Sequence, residues 1–99
     1  MAHELKREES RLIVQVEGRL DAQAAPALED DMAAALGGVT DVMFDLEGLE
    51  YISSAGLRVL LAAYKLMAKR EGTMQVVNVG EDVMSVFKMS GFADIFAIA

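Results

Sequence analysis

Two adjacent hydroxyls, Ser53 and Ser54, stand immediately before Ala55-Gly56-Leu57, and their position is the most chemically suggestive in the chain. A serine nucleophile needs a base to take its proton. The only histidine is His3, close to the N-terminus. The strained turn that presents a nucleophilic serine also needs glycine two residues earlier, and Ile52 stands there. A phosphate-cradling loop needs several glycines and a lysine, which no arrangement of the glycines here supplies. Glu47 and Glu50 flank a turn without calcium-loop spacing, and the absence of cysteine excludes thiolate metal sites and disulfides. The residues therefore argue against an enzyme, a metal site and a bound cofactor. A hydroxyl at a helix start retains two uses. It can cap the helix by accepting a free backbone N–H. It can also accept a phosphate, whose charge of about −1.5 to −2 is tolerated beside the free N–H groups and the helix dipole. Ser53 fits the cap or orienting role, with Ser54 in the first turn; on the motif alone, capping is the simpler reading.

The elements that must position these serines can be read on both sides of them. Val42, Met43, Phe44 and Leu46 form a nearly unbroken apolar run, the pattern of a strand covered on both faces. Gly48 and its acidic neighbours suit a connection. In the helix after Ser54, Leu57, Leu60, Leu61, Tyr64 and Ala68 recur at helical spacing and are assigned to the core. Arg58, Lys65 and Lys69 form a basic stripe beside them. Ala55, Val59, Ala62 and Leu66 lie on the far side, where a helix with one apolar face would carry charge. Such a helix is either buried on both sides or offers one side to a partner. The shortness of the chain favours the partner, so these four residues are expected to be at least partly exposed.

Tyr51-Ile52-Ser53-Ser54-Ala55-Gly56-Leu57 resembles the signature of bacterial anti-sigma factor antagonists, the STAS domain family. Gly18-Arg19-Leu20-Asp21 and Phe87-Lys88-Met89-Ser90-Gly91-Phe92 are similar to two further elements of that family, so the likeness extends over most of the chain. The resemblance implies that the hydroxyl two positions before the Gly-Leu pair, Ser54, is the phosphoacceptor of a partner kinase. The best-known members carry Asp directly before that serine, where this chain has Ser53. The resemblance also makes Asp21 a candidate polar group near the Ser54 surface, beside its plainer reading as a loop-ordering residue. With Arg58, the residues Asp21, Ala55, Val59, Ala62 and Leu66 form the expected partner-binding set.

Ninety-nine residues make a single domain, 1–99, whose core must be built efficiently. The chain is 54% hydrophobic and has no tryptophan, so aliphatic residues and seven methionines must fill that core. A net charge of −7 argues against binding the phosphate backbone of a nucleic acid. No signal peptide is visible, and no apolar run approaches the roughly 20 residues needed to span a bilayer. A cytoplasmic, soluble monomer with no direct membrane insertion is expected.

Leu12 to Gly18 reads as a strand, with Leu12, Val14 and Val16 on one face. Pro26 suits the first turn of a helix whose apolar face is Leu28, Met32, Ala35 and Leu36. Glu29, Asp30 and Asp31 are placed near its N-terminal end, and Gly37-Gly38 stops it. Met74 to Val79 is a further strand, Glu81 to Ser90 a short helix and Ile95 to Ile98 a last strand. Leu5 to Ser10 is an optional leading strand. Phe44, Leu57, Leu60, Leu61 and Val77 are expected to be largely buried. Alternation of this kind gives an α/β domain with a mixed central sheet, and the resemblance implies helices packed mainly on one face.

The resemblance implies a partner-switching regulator. Its partners are an anti-sigma factor that is also a serine kinase, bound in the unphosphorylated state, and a metal-dependent serine phosphatase that resets it. ATP and magnesium belong to the kinase. A second reading from the same family is a stand-alone STAS subunit of a membrane lipid-transport ABC assembly, docked on an ATP-binding transporter.

Overall fold

A computed structural model describes residues 2–99. Of the segment expected as an optional leading strand, Leu5 to Glu8 lie in β1 (Ala2–Glu8), which pairs antiparallel with β2 (Arg11–Leu20), while Glu9 and Ser10 form the turn between the two strands. Its exposed charges, Glu4, Lys6 and Glu8, suit a sheet edge that must not recruit another chain. Then follow α1 (Ala25–Ala35), β3 (Asp41–Asp45), β4 (Leu49–Ile52), α2 (Ser54–Lys69), β5 (Thr73–Val77), α3 (Glu81–Ser90), a 3₁₀ turn at Phe92–Asp94 and β6 (Ala97–Ile98).

The sheet runs β1-β2-β3-β5-β6, with β4 also paired to β2. Among the described residues only the β1–β2 pair is antiparallel, and every other pairing is parallel. This is the expected mixed α/β architecture. Strand alternation decides which face is covered. Leu12, Val14 and Val16 of β2, Val42 and Phe44 of β3, and Met74 and Val76 of β5 are buried with the helices. The opposite face carries Ile13, Met43 and Gln75 in one cross-strand row, half-buried or exposed. The helices therefore cover one face. The apolar run in β3 does not mark a strand covered on both: Met43 lies on the open side, beneath the Arg11 guanidinium, whose Nη2 is 3.6 Å from its sulfur. Val77 is half-buried on that side, contrary to expectation, whereas Phe44, Leu57 and Leu60 are buried.

β4 was not foreseen, because four residues beside a glycine and two acids read as a connection. It exists because β2 outruns β3. Residues 11–15 of β2 pair with β3, and Gly18, Arg19 and Leu20 then pair with Leu49, Tyr51 and Ile52. The register shifts between Gly18 and Arg19, and Gly18 takes a φ of 81°, which suits glycine far better than a residue with a Cβ.

α1 buries Ala25, Leu28 and Met32, with Ala35 and Leu36 half-buried. Its acids fall beyond the first turn, so Glu29, Asp30 and Asp31 are not placed to complement its N-terminal end. Instead, Asp31 Oδ2 lies 2.6 Å from His3 Nε2, tying α1 to β1. Arginines donate to carbonyls at and just beyond the C-terminal end of α1. Arg7 Nη1 donates to the Ala35 and Gly37 oxygens at 3.1 and 2.9 Å, and Arg70 Nη1 donates to those of Leu36 and Val39 at 2.6 and 2.8 Å. Beside β5 and β6, Phe96 stacks on Phe92 at 5.2 Å and meets Phe87 edge-on at 5.7 Å. That cluster curls residues 92–96 into a turn, which is why β6 is shorter than the Ile95–Ile98 strand expected.

Candidate functional site

The start of α2 is set by its contact with β2. The Leu20 carbonyl accepts the Ser53 N–H at 2.9 Å, holding the chain against the sheet as it leaves β4. Gly56 then passes so close that a Cβ there would lie 2.7 Å from the Leu20 oxygen and 2.8 Å from Ile52 Cγ1. The Gly56-Leu57 pair is thus a packing requirement, and it fixes the two serines relative to the sheet end.

Those serines have different surroundings. Ser53 is the N-cap: its backbone is extended (φ −93°, ψ 176°) and its Oγ accepts the Gly56 N–H at 3.3 Å. It is half-buried. Ser54, the first helical residue, is exposed, and its hydroxyl has no hydrogen-bond partner among the described residues.

Asp21 follows Leu20 directly, and its Oδ1 accepts the N–H groups of Gln23 and Ala24 at 3.1 and 3.0 Å. Its visible work is to order the turn into α1. On the outer side of the β2–β4 pair, the Arg19 guanidinium lies 4.2 Å from the Tyr51 ring centre, a cross-strand cation–π contact beside the site.

The face of α2 that meets the core differs from the one read from its leucines. The buried residues are Gly56, Leu57, Val59, Leu60, Ala63 and Met67. Val59 is 4% exposed and cannot serve as an exposed docking residue, which corrects its place in the expected set. Ala55 and Leu66 are half-buried and packed against the core, while Ala62 and Arg58 are exposed. Leu61, assigned to the core, is only half-buried, and Ala68 is exposed. The physical reason is close approach. The small residues Gly56 and Ala63 let the helix settle onto the sheet, turning it roughly a quarter turn from the leucine-centred face.

The outward stripe therefore runs Ser54, Arg58, Leu61 and Ala62, Lys65, Lys69. It holds three exposed cations, and α2 contains no acidic residue. Leu61 and Lys65 were absent from the expected partner-binding set. Their spacing of seven and eleven residues from Ser54 carried the signal, because those intervals return to nearly the same side of a helix.

A family model for the STAS domain matches residues 2–99. The chain belongs to the STAS domain family. It is 38% identical over 89 residues to BtrV of Bordetella bronchiseptica, a protein assigned as an anti-sigma factor antagonist, covering 89% of this chain and 77% of BtrV. It is 26% identical over 96 residues to the anti-sigma-B factor antagonist of Bacillus subtilis, covering 97% of this chain and 88% of that protein. Among solved structures, an anti-sigma factor antagonist from Mycobacterium paratuberculosis superposes with a TM-score of 0.84 at 26% identity, over 98% of this chain and 83% of that one. The Bacillus cell fate determinant SpoIIAA in its phosphorylated form shares the fold, with a TM-score of 0.79 at 22% identity, over 99% of this chain and 91% of that one.

This STAS domain thus sits among the anti-sigma factor antagonists, which are regulators rather than enzymes. Among the described residues, no cluster of histidines and carboxylates is arranged to hold a metal ion, and no helix is long and apolar enough to cross a membrane.

Proposed function

We propose that the chain is a partner-switching anti-sigma factor antagonist. Unphosphorylated, it binds an anti-sigma factor that is also a serine kinase and frees the target of that factor. The kinase transfers the γ-phosphoryl group of ATP to Ser54 Oγ; the hydroxyl proton is lost and ADP leaves. The phosphorylated domain lets go, and a metal-dependent serine phosphatase resets it. The observation that carries this reading is the division of labour between the serines: Ser53 spends its hydroxyl on the helix cap, and Ser54 presents a free one at the surface.

The docking surface is the outward stripe of α2, with Arg58, Leu61, Ala62 and Lys65, flanked by the half-buried Ala55 and Leu66. Asp21 borders it through the adjacent turn. A basic stripe on a protein of net charge −7 suits an acidic partner surface. Phosphate at the head of the stripe disfavours docking by desolvation and by repulsion of that surface.

Incubation of wild type, Ser53→Ala and Ser54→Ala with the cognate kinase and ATP, followed by mass-spectrometric mapping, tests the assignment. Phosphate should appear on wild type and Ser53→Ala at Ser54 only, and be missing from Ser54→Ala. Phosphate on Ser53 with Ser54 unmodified would refute it. No phosphate on either, together with co-purification of an ATP-binding transporter, would favour the transport-subunit role.

A further inference from the structure

The five arginines of this chain are unequally engaged. Arg7 and Arg70 donate to carbonyls at and just beyond the C-terminal end of α1. Arg11 Nε lies 3.3 Å from Asp41 Oδ2, and Arg19 covers the Tyr51 ring. Arg58 is exposed and, among the described residues, takes part in no hydrogen bond, ion pair or ring contact. It stands four residues after Ser54 in α2, so the two share one face, a single turn apart. Helical side chains lean toward the N-terminus, which brings the long Arg58 side chain back over the turn carrying Ser54. Its planar fork matches two phosphate oxygens, a geometry that a lysine ammonium cannot offer.

We infer that Arg58 is a built-in counter-charge for phosphorylated Ser54 and thereby sets how completely the switch turns off. The inference rests on Ser54 as the phosphoacceptor. In the unphosphorylated domain the guanidinium is a free cation on the docking stripe, open to a carboxylate of the partner. After modification it pairs with the phosphate and is withdrawn from that use. One covalent event then adds negative charge at the head of the stripe and removes the nearest positive contact. Lys65 lies three turns along the helix from Ser54, about 16 Å by helical rise, and keeps its charge free in both states.

The test uses the full chain with phosphoserine installed at position 54 by amber suppression, so it does not depend on finding the kinase. The second ionisation of the phosphate is followed by ³¹P NMR. A paired guanidinium favours the dianion, so the wild-type midpoint should lie below that of Arg58→Gln by roughly half a pH unit or more. Arg58→Lys should recover part of the difference. Lys65→Gln, which removes the same charge at a distance, should stay close to wild type, and the Arg58 effect should shrink in high salt. Coincident midpoints for wild type and Arg58→Gln would overturn the inference. So would an equal shift in Lys65→Gln, because that would report the general field of the stripe. Failure of the kinase to modify Ser54 would instead strike the functional reading, and the two failures are read separately.

Discussion

At the scale of the residue, two neighbouring serines are separated by what their hydroxyls already do. The Ser53 oxygen satisfies one of the free N–H groups that open α2, at 3.3 Å, and is half-buried in doing so. Ser54 carries no such duty. Ser53→Ala should therefore lower stability by about 1 kcal/mol, the usual cost of a lost cap, measured by urea denaturation, while Ser54→Ala should leave the midpoint nearly unchanged. Equal losses in both variants would mean that Ser54 has a structural partner after all. This distinction was legible in the sequence, because the helical periodicity that begins after Ser54 fits Ser53 to the cap and Ser54 to the first turn, and the family resemblance matches Ser54 to the modified position. Asp21 was legible only as an alternative, since an Asp before a helix can order a turn or face a site, and only coordinates show Oδ1 engaged by Gln23 and Ala24.

At the scale of the element, α2 is where sequence reasoning and structure part. Periodicity ranked the leucines first and placed Leu61 in the core. The packing keeps Leu57 and Leu60 there and adds Gly56, Val59, Ala63 and Met67, because the small residues Gly56 and Ala63 let the helix lie close to the sheet on that side. The neighbouring leucines test that rotation directly. Leu60 is 0% exposed, and Leu60→Ala should cost roughly 2–5 kcal/mol. Leu61 is half-buried and is not packed against the core, so Leu61→Ala should cost about 1 kcal/mol or less in the same denaturation measurement. Similar losses would show that the helix sits as its leucines alone suggest. β4 escaped for another reason: a four-residue strand gives too few alternations to read, and its existence depends on the length of β2, which continues past the end of β3.

At the scale of the whole molecule, alternation of strands and helices was enough to give the mixed sheet, and the clean in-out pattern of Leu12, Val14 and Val16 gave its covered face. The open face was hidden, because Met43 and Val77 continue apolar runs without being in the core. The fold delivers the end of β2, the end of β4 and the start of α2 to one place, leaving Ser54 at the head of a basic stripe on an otherwise acidic domain. In the proposed switch, phosphorylation there changes the surface without requiring the domain to rearrange. The most direct test is the affinity of the cognate anti-sigma kinase for this protein, measured by calorimetry on the unmodified chain and on the chain phosphorylated at Ser54. Modification should weaken binding at least about tenfold, or 1.4 kcal/mol, with the melting temperature unchanged or raised. Equal affinity for the two forms would contradict the switch.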